Sequence, residues 1–156
     1  MDSPDLALAD LIVDDLNGHF AGQFKAERTW VPDFEVKSEL DTFRLAVQPG
    51  PDPTGEVFER SGLQETWPLD FCFAKRLDNN TRQDIDNLMA VVDRVRQRVH
   101  LSDWSNSVAA WHGIGFQFLV RFDPAECQRK RMTDNTIVYA GRFMSLFRVP
   151  FLMHSL

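Results

Sequence analysis

The segment from Thr81 to Val99 restricts the fold more than any other. Thr81 with Asp84 three residues on resembles a capping box, and behind it Ile85, Leu88, Val92, Val95 and Val99 recur at helical spacing. These residues predict a helix over Arg82 to Val99 with one apolar stripe. Asp84 and Asp86 sit at its positive end, and Arg94, Arg96, Arg98 and His100 at its negative end, so the charges complement the helix dipole. A stripe of this kind must be buried against another element.

The rest of the chain supplies a sheet for it. Phe43, Leu45 and Val47 alternate with Arg44, Ala46 and Gln48, which predicts a half-buried strand over Thr42 to Gln48. Pro49 to Gly55 breaks it with three prolines and two glycines. Trp67, Leu69, Phe71 and Phe73 mark a second strand, and Pro68 within it suggests an edge or a strand start. Trp111 to Phe122 is a long apolar run expected to be one strand, and Phe143, Phe147, Val149 and Phe151 predict a last one. Asp123-Pro124-Ala125-Glu126 opens a short predicted helix running to about Met132.

At the amino end, Ser3, Pro4 and Asp5 form a helix start, followed by an apolar face of Leu8, Leu11, Ile12 and Leu16. Asp10, Asp14 and Asn17 lie opposite, and Gly18 is expected to stop the helix. Glu27 to Pro32 reads as a short strand or extended arm with Trp30 and Phe34 as anchors, and Glu35 to Leu40 adds a helical turn. The element order predicts an α+β domain spanning residues 1–156, two-layered, with the main helices packed on a mixed, mostly antiparallel β-sheet.

A chain of 156 residues with 44% hydrophobic and 26% charged residues can bury a core without disulfides or metal. The net charge of −6 argues against a protein that grips DNA, although it allows a wall that DNA slides past. Cys72 and Cys127 are read as thiols in a reducing compartment. No run approaches the ~20 apolar residues of a membrane span. The acidic start Met1-Asp2-Ser3-Pro4-Asp5 lacks the basic residues of a signal peptide, so a cytosolic protein is expected.

The residues that carry chemistry are scattered. His19, His100, His112 and His154 fit no metal-binding spacing, and a zinc site from His112 and Cys127 has no pattern behind it. Asp10, Asp14 and Asp15 read as a solvated helix face. Asp33, Glu35 and Lys37 have the letters of a magnesium nuclease signature, but two acids only two residues apart cannot make the turn that such a site needs. Gly113-Ile114-Gly115 lacks the third glycine of a dinucleotide loop. Arg94/Arg96/Arg98 and Arg129-Lys130-Arg131 are read as helix-end cations before nucleic-acid contacts. No catalytic residue, metal or cofactor is expected.

The layout itself resembles a known family. Leu8-Ala9-Asp10-Leu11-Ile12-Val13-Asp14-Asp15-Leu16-Asn17 resembles the opening helix of bacteriophage tail terminator proteins. Arg28-Thr29-Trp30-Val31-Pro32-Asp33-Phe34-Glu35 is similar to their Arg-x-aromatic-x-Pro segment, and Leu45-Ala46-Val47-Gln48-Pro49 to their first core strand. Ile85-Asp86-Asn87-Leu88-Met89 resembles the start of their long second helix, and Phe143-Met144-Ser145-Leu146-Phe147-Arg148-Val149 their closing strand. Cys127 to Ala140 has no placed counterpart. The resemblance implies a non-enzymatic virion protein of the tail or neck, assembled in the host cytoplasm. It implies a homo-oligomer, a hexameric ring that caps the tail tube protein, ends tube growth and meets the head-side connector or stopper, with DNA passing through unbound. Candidate assembly contacts are Arg28, Trp30, Pro32 and Phe34, and, in the loop after the first core strand, Pro51, Asp52, Glu56 and Phe58. Alternatives are another phage neck protein, such as a head-closure protein, or a nuclease using Asp33, Glu35 and Lys37.

Overall fold

The computed structural model describes residues 4–29, 42–50, 65–77, 82–105, 109–118, 131–133, 136–139 and 142–155. Their order is α1 (Pro4–His19), β1 (Lys25–Arg28), β2 (Arg44–Pro49), β3 (Glu65–Arg76), α2 (Arg82–Leu101), β4 (Asp103–Ser105), β5 (Ala109–Gly113), β6 (Gln117–Phe118), β7 (Arg131–Thr133), β8 (Thr136–Tyr139) and β9 (Arg142–Ser155). The sheet runs β1-β2-β3-β9-β5-β4; β6 and β8 also pair with β9, and β7 pairs with β8. Among the described strand pairs only β1 and β2 are parallel, so the fold is α+β with a mixed, mostly antiparallel sheet.

Both helices pack on one face of that sheet. The α2 stripe is buried as its spacing requires: Leu88, Val92, Val95 and Val99 join the odd-numbered residues of β9 and β3 in one core, with Ile85 packed at its margin. The helix closes on Trp104, whose indole N–H donates to the Val99 carbonyl at 3.1 Å. In α1, Leu8, Ala9, Ile12 and Leu16 are buried, whereas Leu11 is only half-buried. Gly18 does not end this helix, which continues to His19. The chain turns at residues 20–23 instead, where Gly22 takes a φ of 83° that other residues rarely adopt.

Asn17, expected on the polar face, ties α1 to the sheet. Its Nδ2 donates to the Ala26 carbonyl at 2.9 Å, and the Ala26 N–H donates to its Oδ1 at 2.8 Å. Those two backbone groups lie on the outer side of edge strand β1, and the amide covers them.

The central strands are longer and more deeply buried than alternation suggests. On β2, Leu45 and Val47 face the helices, yet Ala46 and Gln48 on the opposite face are also buried. Ala46, Cys72, Ala74 and Leu146 form a second apolar cluster there. The half-buried expectation is therefore corrected to burial on both faces.

Pro68 marks neither an edge nor a strand start. It is an internal residue of β3, between β2 and β9, and its register partner on β9 is Pro150. The Pro68 carbonyl accepts from the Gly50 N–H at 2.9 Å, and the Pro150 carbonyl accepts from the Ile114 N–H at 3.0 Å. A strand residue turns its nitrogen and oxygen to the same side, so the two prolines point their missing donors away from each other. Neither ring interrupts the β3–β9 ladder. Gly50 is needed beside this pair: a Cβ there would stand 2.9 Å from Pro68 Cβ.

The run expected to be one strand from Trp111 is broken. β5 ends at Gly113 opposite Phe151, and Gln117 pairs with Arg148, so residues 114–116 oppose only Val149 and Pro150. This is a bulge, and it turns Ile114 and Phe116 outward. The helix expected to reach Met132 is also corrected, because Arg131–Thr133 is strand β7 paired with β8. Thr136-Ile137-Val138 is β-branched throughout and supplies a partner for extended backbone, which a helix at Met132 would forgo. The first strand, expected from Glu27, starts at Lys25.

Candidate interaction surfaces

Among the described residues no group of three or more His, Cys, Asp and Glu side chains could hold a metal ion. The three acids of α1 separate. Arg28 Nε donates to Asp10 Oδ1 at 2.7 Å, and Arg98 chelates Asp15, with Nε to Oδ2 at 2.7 Å and Nη2 to Oδ1 at 3.0 Å. Asp14 stays exposed. Hydrogen bonding to Asp15 raises the Arg98 pKa above its ordinary value.

The three arginines near the end of α2 therefore act separately. Arg98 locks α2 to α1. Arg94 Nη2 donates to Gln23 Oε1 at 2.9 Å. The Arg96 guanidinium lies over the Phe116 ring, 4.4 Å from its centroid, within reach of a cation–π attraction. His100 meets the same ring edge-on at 6.0 Å.

On the face away from the helices, Gln48, Asp70 and Arg148 are successive register partners across β2, β3 and β9. Arg148 donates from Nε to Asp70 Oδ1 at 2.6 Å and from Nη2 to Oδ2 at 3.1 Å, and the Asp70 side chain is 1% exposed. The Asp70 hydrogen bonds hold the Arg148 pKa above its usual range. Nearer the sheet's other end, the rings of His112 and His154 stack with centroids 5.0 Å apart. Cys127, the other half of the zinc site that has no spacing pattern behind it, lies outside the described residues.

Of the candidate contacts, Arg28 alone is described. It is half-buried, and its ion pair with Asp10 makes it a strand-to-helix tie. Trp30, Pro32, Phe34, Pro51, Asp52, Glu56 and Phe58 lie outside the described residues, as do Asp33, Glu35 and Lys37 of the nuclease alternative.

Sequence reasoning missed a different surface at the end of α2. Leu101 is 75% exposed, Ile114 50% and Phe116 37%, and these are the exposed large hydrophobics among the described residues. Leu101 leads directly into β4, which forms one edge of the sheet path. The signal was the pair Gly113 and Gly115 inside an apolar run, which marks a bulge as readily as a strand.

Four of the five segments that resemble tail terminators fall on framework elements: Leu8–Asn17 in α1, Leu45–Pro49 in β2, Ile85–Met89 in α2 and Phe143–Val149 in β9. Comparison with protein-family models and with curated proteins finds no match to this chain.

Proposed function

We propose that this chain is a structural subunit of a bacteriophage tail, a tail terminator whose copies close into a ring on the tail tube. In that role it ends tube growth and meets the head-side connector, with DNA passing through the ring. The observation that carries the reading is the placement of the four resembling segments on α1, β2, α2 and β9, in the order the family implies. A role in assembly is supported by Leu101, Ile114 and Phe116, which leave apolar surface in water near β4, the end strand of the sheet path among the described residues. Surfaces of that kind mark contacts with other proteins, and ring closure is one way to cover a free edge.

Native mass measurement of the purified protein, alone and mixed with the tail tube protein of the same genome, tests this. A ring-sized oligomer, formed alone or on the tube, is expected. A monomer that ignores the tube would overturn the proposal.

A further inference from the structure

The turn at residues 20–23 separates two clefts. One, of about 390 Å³, lies between the ends of α1 and α2 and is lined by His19, Arg94, Gln97, Arg98 and Leu101 among others. The second, of about 450 Å³, lies at the end of the sheet and is lined by Phe24, Lys25, Thr42, Phe43 and Lys75 with Gly22. Gln23 lines both and forms the ridge between them.

Among the described residues neither cleft has a carboxylate in its wall. Asp15 neutralises Arg98, but Arg94 bonds only the neutral Gln23 amide, and no carboxylate among the described residues pairs with Lys25 or Lys75. The chain has 23 acidic and 17 basic residues, yet three cations that pair with no carboxylate among the described residues meet around this one ridge. Concave walls concentrate such a field more than a convex helix face does.

From this we infer that the paired clefts bind an acidic peptide segment of a partner protein, seating one carboxylate on each side of the Gln23 ridge. Lys25 and Lys75 receive one carboxylate and Arg94 the other. Gln97 and Thr42 offer side-chain hydrogen bonds, and Leu101 and the edges of Phe24 and Phe43 meet the aliphatic parts. Nucleic acid fits less well. Base stacking needs open ring faces, whereas Phe24 is 8% and Phe43 5% exposed. The inference goes beyond the ring and stands whether or not the chain forms one.

The test is fluorescence anisotropy with a labelled hexaglutamate peptide at low ionic strength, with labelled hexaglutamine, a single-stranded oligonucleotide and inorganic phosphate as further arms. Lys25→Gln with Lys75→Gln should weaken hexaglutamate binding by about tenfold, and Arg94→Gln should weaken it further, each contact being salt-sensitive. Arg96→Gln, on the Phe116 side of α2, should leave the affinity unchanged. Lys25 and Arg94 are exposed and Lys75 half-buried, so thermal melts of the variants should match the parent. Three results would overturn the inference: equal affinity in the triple variant, equal binding of hexaglutamine, or phosphate competing as well as the peptide. An oligonucleotide that binds more tightly through the same three residues would replace it with a nucleic-acid site.

Discussion

At the residue scale, the Asp70–Arg148 pair has the highest electrostatic stakes in the described structure. Its carboxylate is 1% exposed and held by two guanidinium bonds. Arg148→Ala would strip both guanidinium bonds from that buried carboxylate, a loss of roughly 3–5 kcal/mol. Replacing both partners, as in Asp70→Leu with Arg148→Met, should cost far less, because neither charge is then buried. Urea unfolding of the two variants checks the ordering; a double variant as unstable as the single would mean that shape, and not charge, sets the cost. Asn17 makes a similar case in neutral groups. Asn17→Ala removes both bonds to Ala26 and should cost about 1–3 kcal/mol, which the same measurement reads. Neither role was legible in the sequence. A side chain's partner across the sheet depends on register, and periodicity carries no register between distant segments.

At the element scale, α2 was the most legible part of the chain and is the most direct to test. Leu88 is 8% exposed and Val95 0%, both in the core that α2 forms against β9 and β5. Leu88→Ala should cost roughly 2–5 kcal/mol in thermal or urea unfolding, as buried leucine truncations do. A change within about 0.5 kcal/mol would place the stripe in solvent. The strands read less completely. Odd positions of β2, β3 and β9 were identified because Phe, Leu and Val repeat there with period two. Even positions such as Ala46, Cys72 and Leu146 were not, since small and mixed side chains give burial on a second face no pattern to show. Lys25–Arg28 was placed late for a related reason: Lys-Ala-Glu-Arg has little strand propensity, and β1 exists through its parallel pairing with Arg44–Val47. At Arg131–Met132, basic residues in a predicted last helical turn outweighed the strand signal of Thr136-Ile137-Val138 just beyond.

At the scale of the whole molecule, the surface around α2's end separates folding from assembly. Ile114→Asp alters an exposed position on a bulge and should shift stability by no more than about 0.5 kcal/mol, whereas Phe116→Asp also gives up the ring contact with Arg96 and should cost about 0.5–1 kcal/mol. Both should reduce oligomer formation in native mass spectra if this surface meets another subunit. Unchanged oligomers in both variants would move the contact elsewhere. The candidate surface was the least legible level: the loop singled out after β2 lies outside the described residues, whereas the exposed cluster emerged only once the bulge had turned Ile114 and Phe116 outward.

The position of β9 has a consequence for the order of events during synthesis. One edge of β9 is taken by β3 along its whole paired length, and the other is shared by β8, β6 and β5. All four of these strands precede it in the chain. A ribosome therefore releases β3, β5, β6 and β8 before the strand that joins them exists. Until then, the edges that β9 will cover are open to other nascent chains, and α2 has only part of its floor. Folding must wait for residues 142–155, and non-local closure of this kind is slow. Crowded expression at high temperature should thus favour aggregation over soluble protein, and slower growth should reverse it. The last described strand to be made is the one on which the sheet depends.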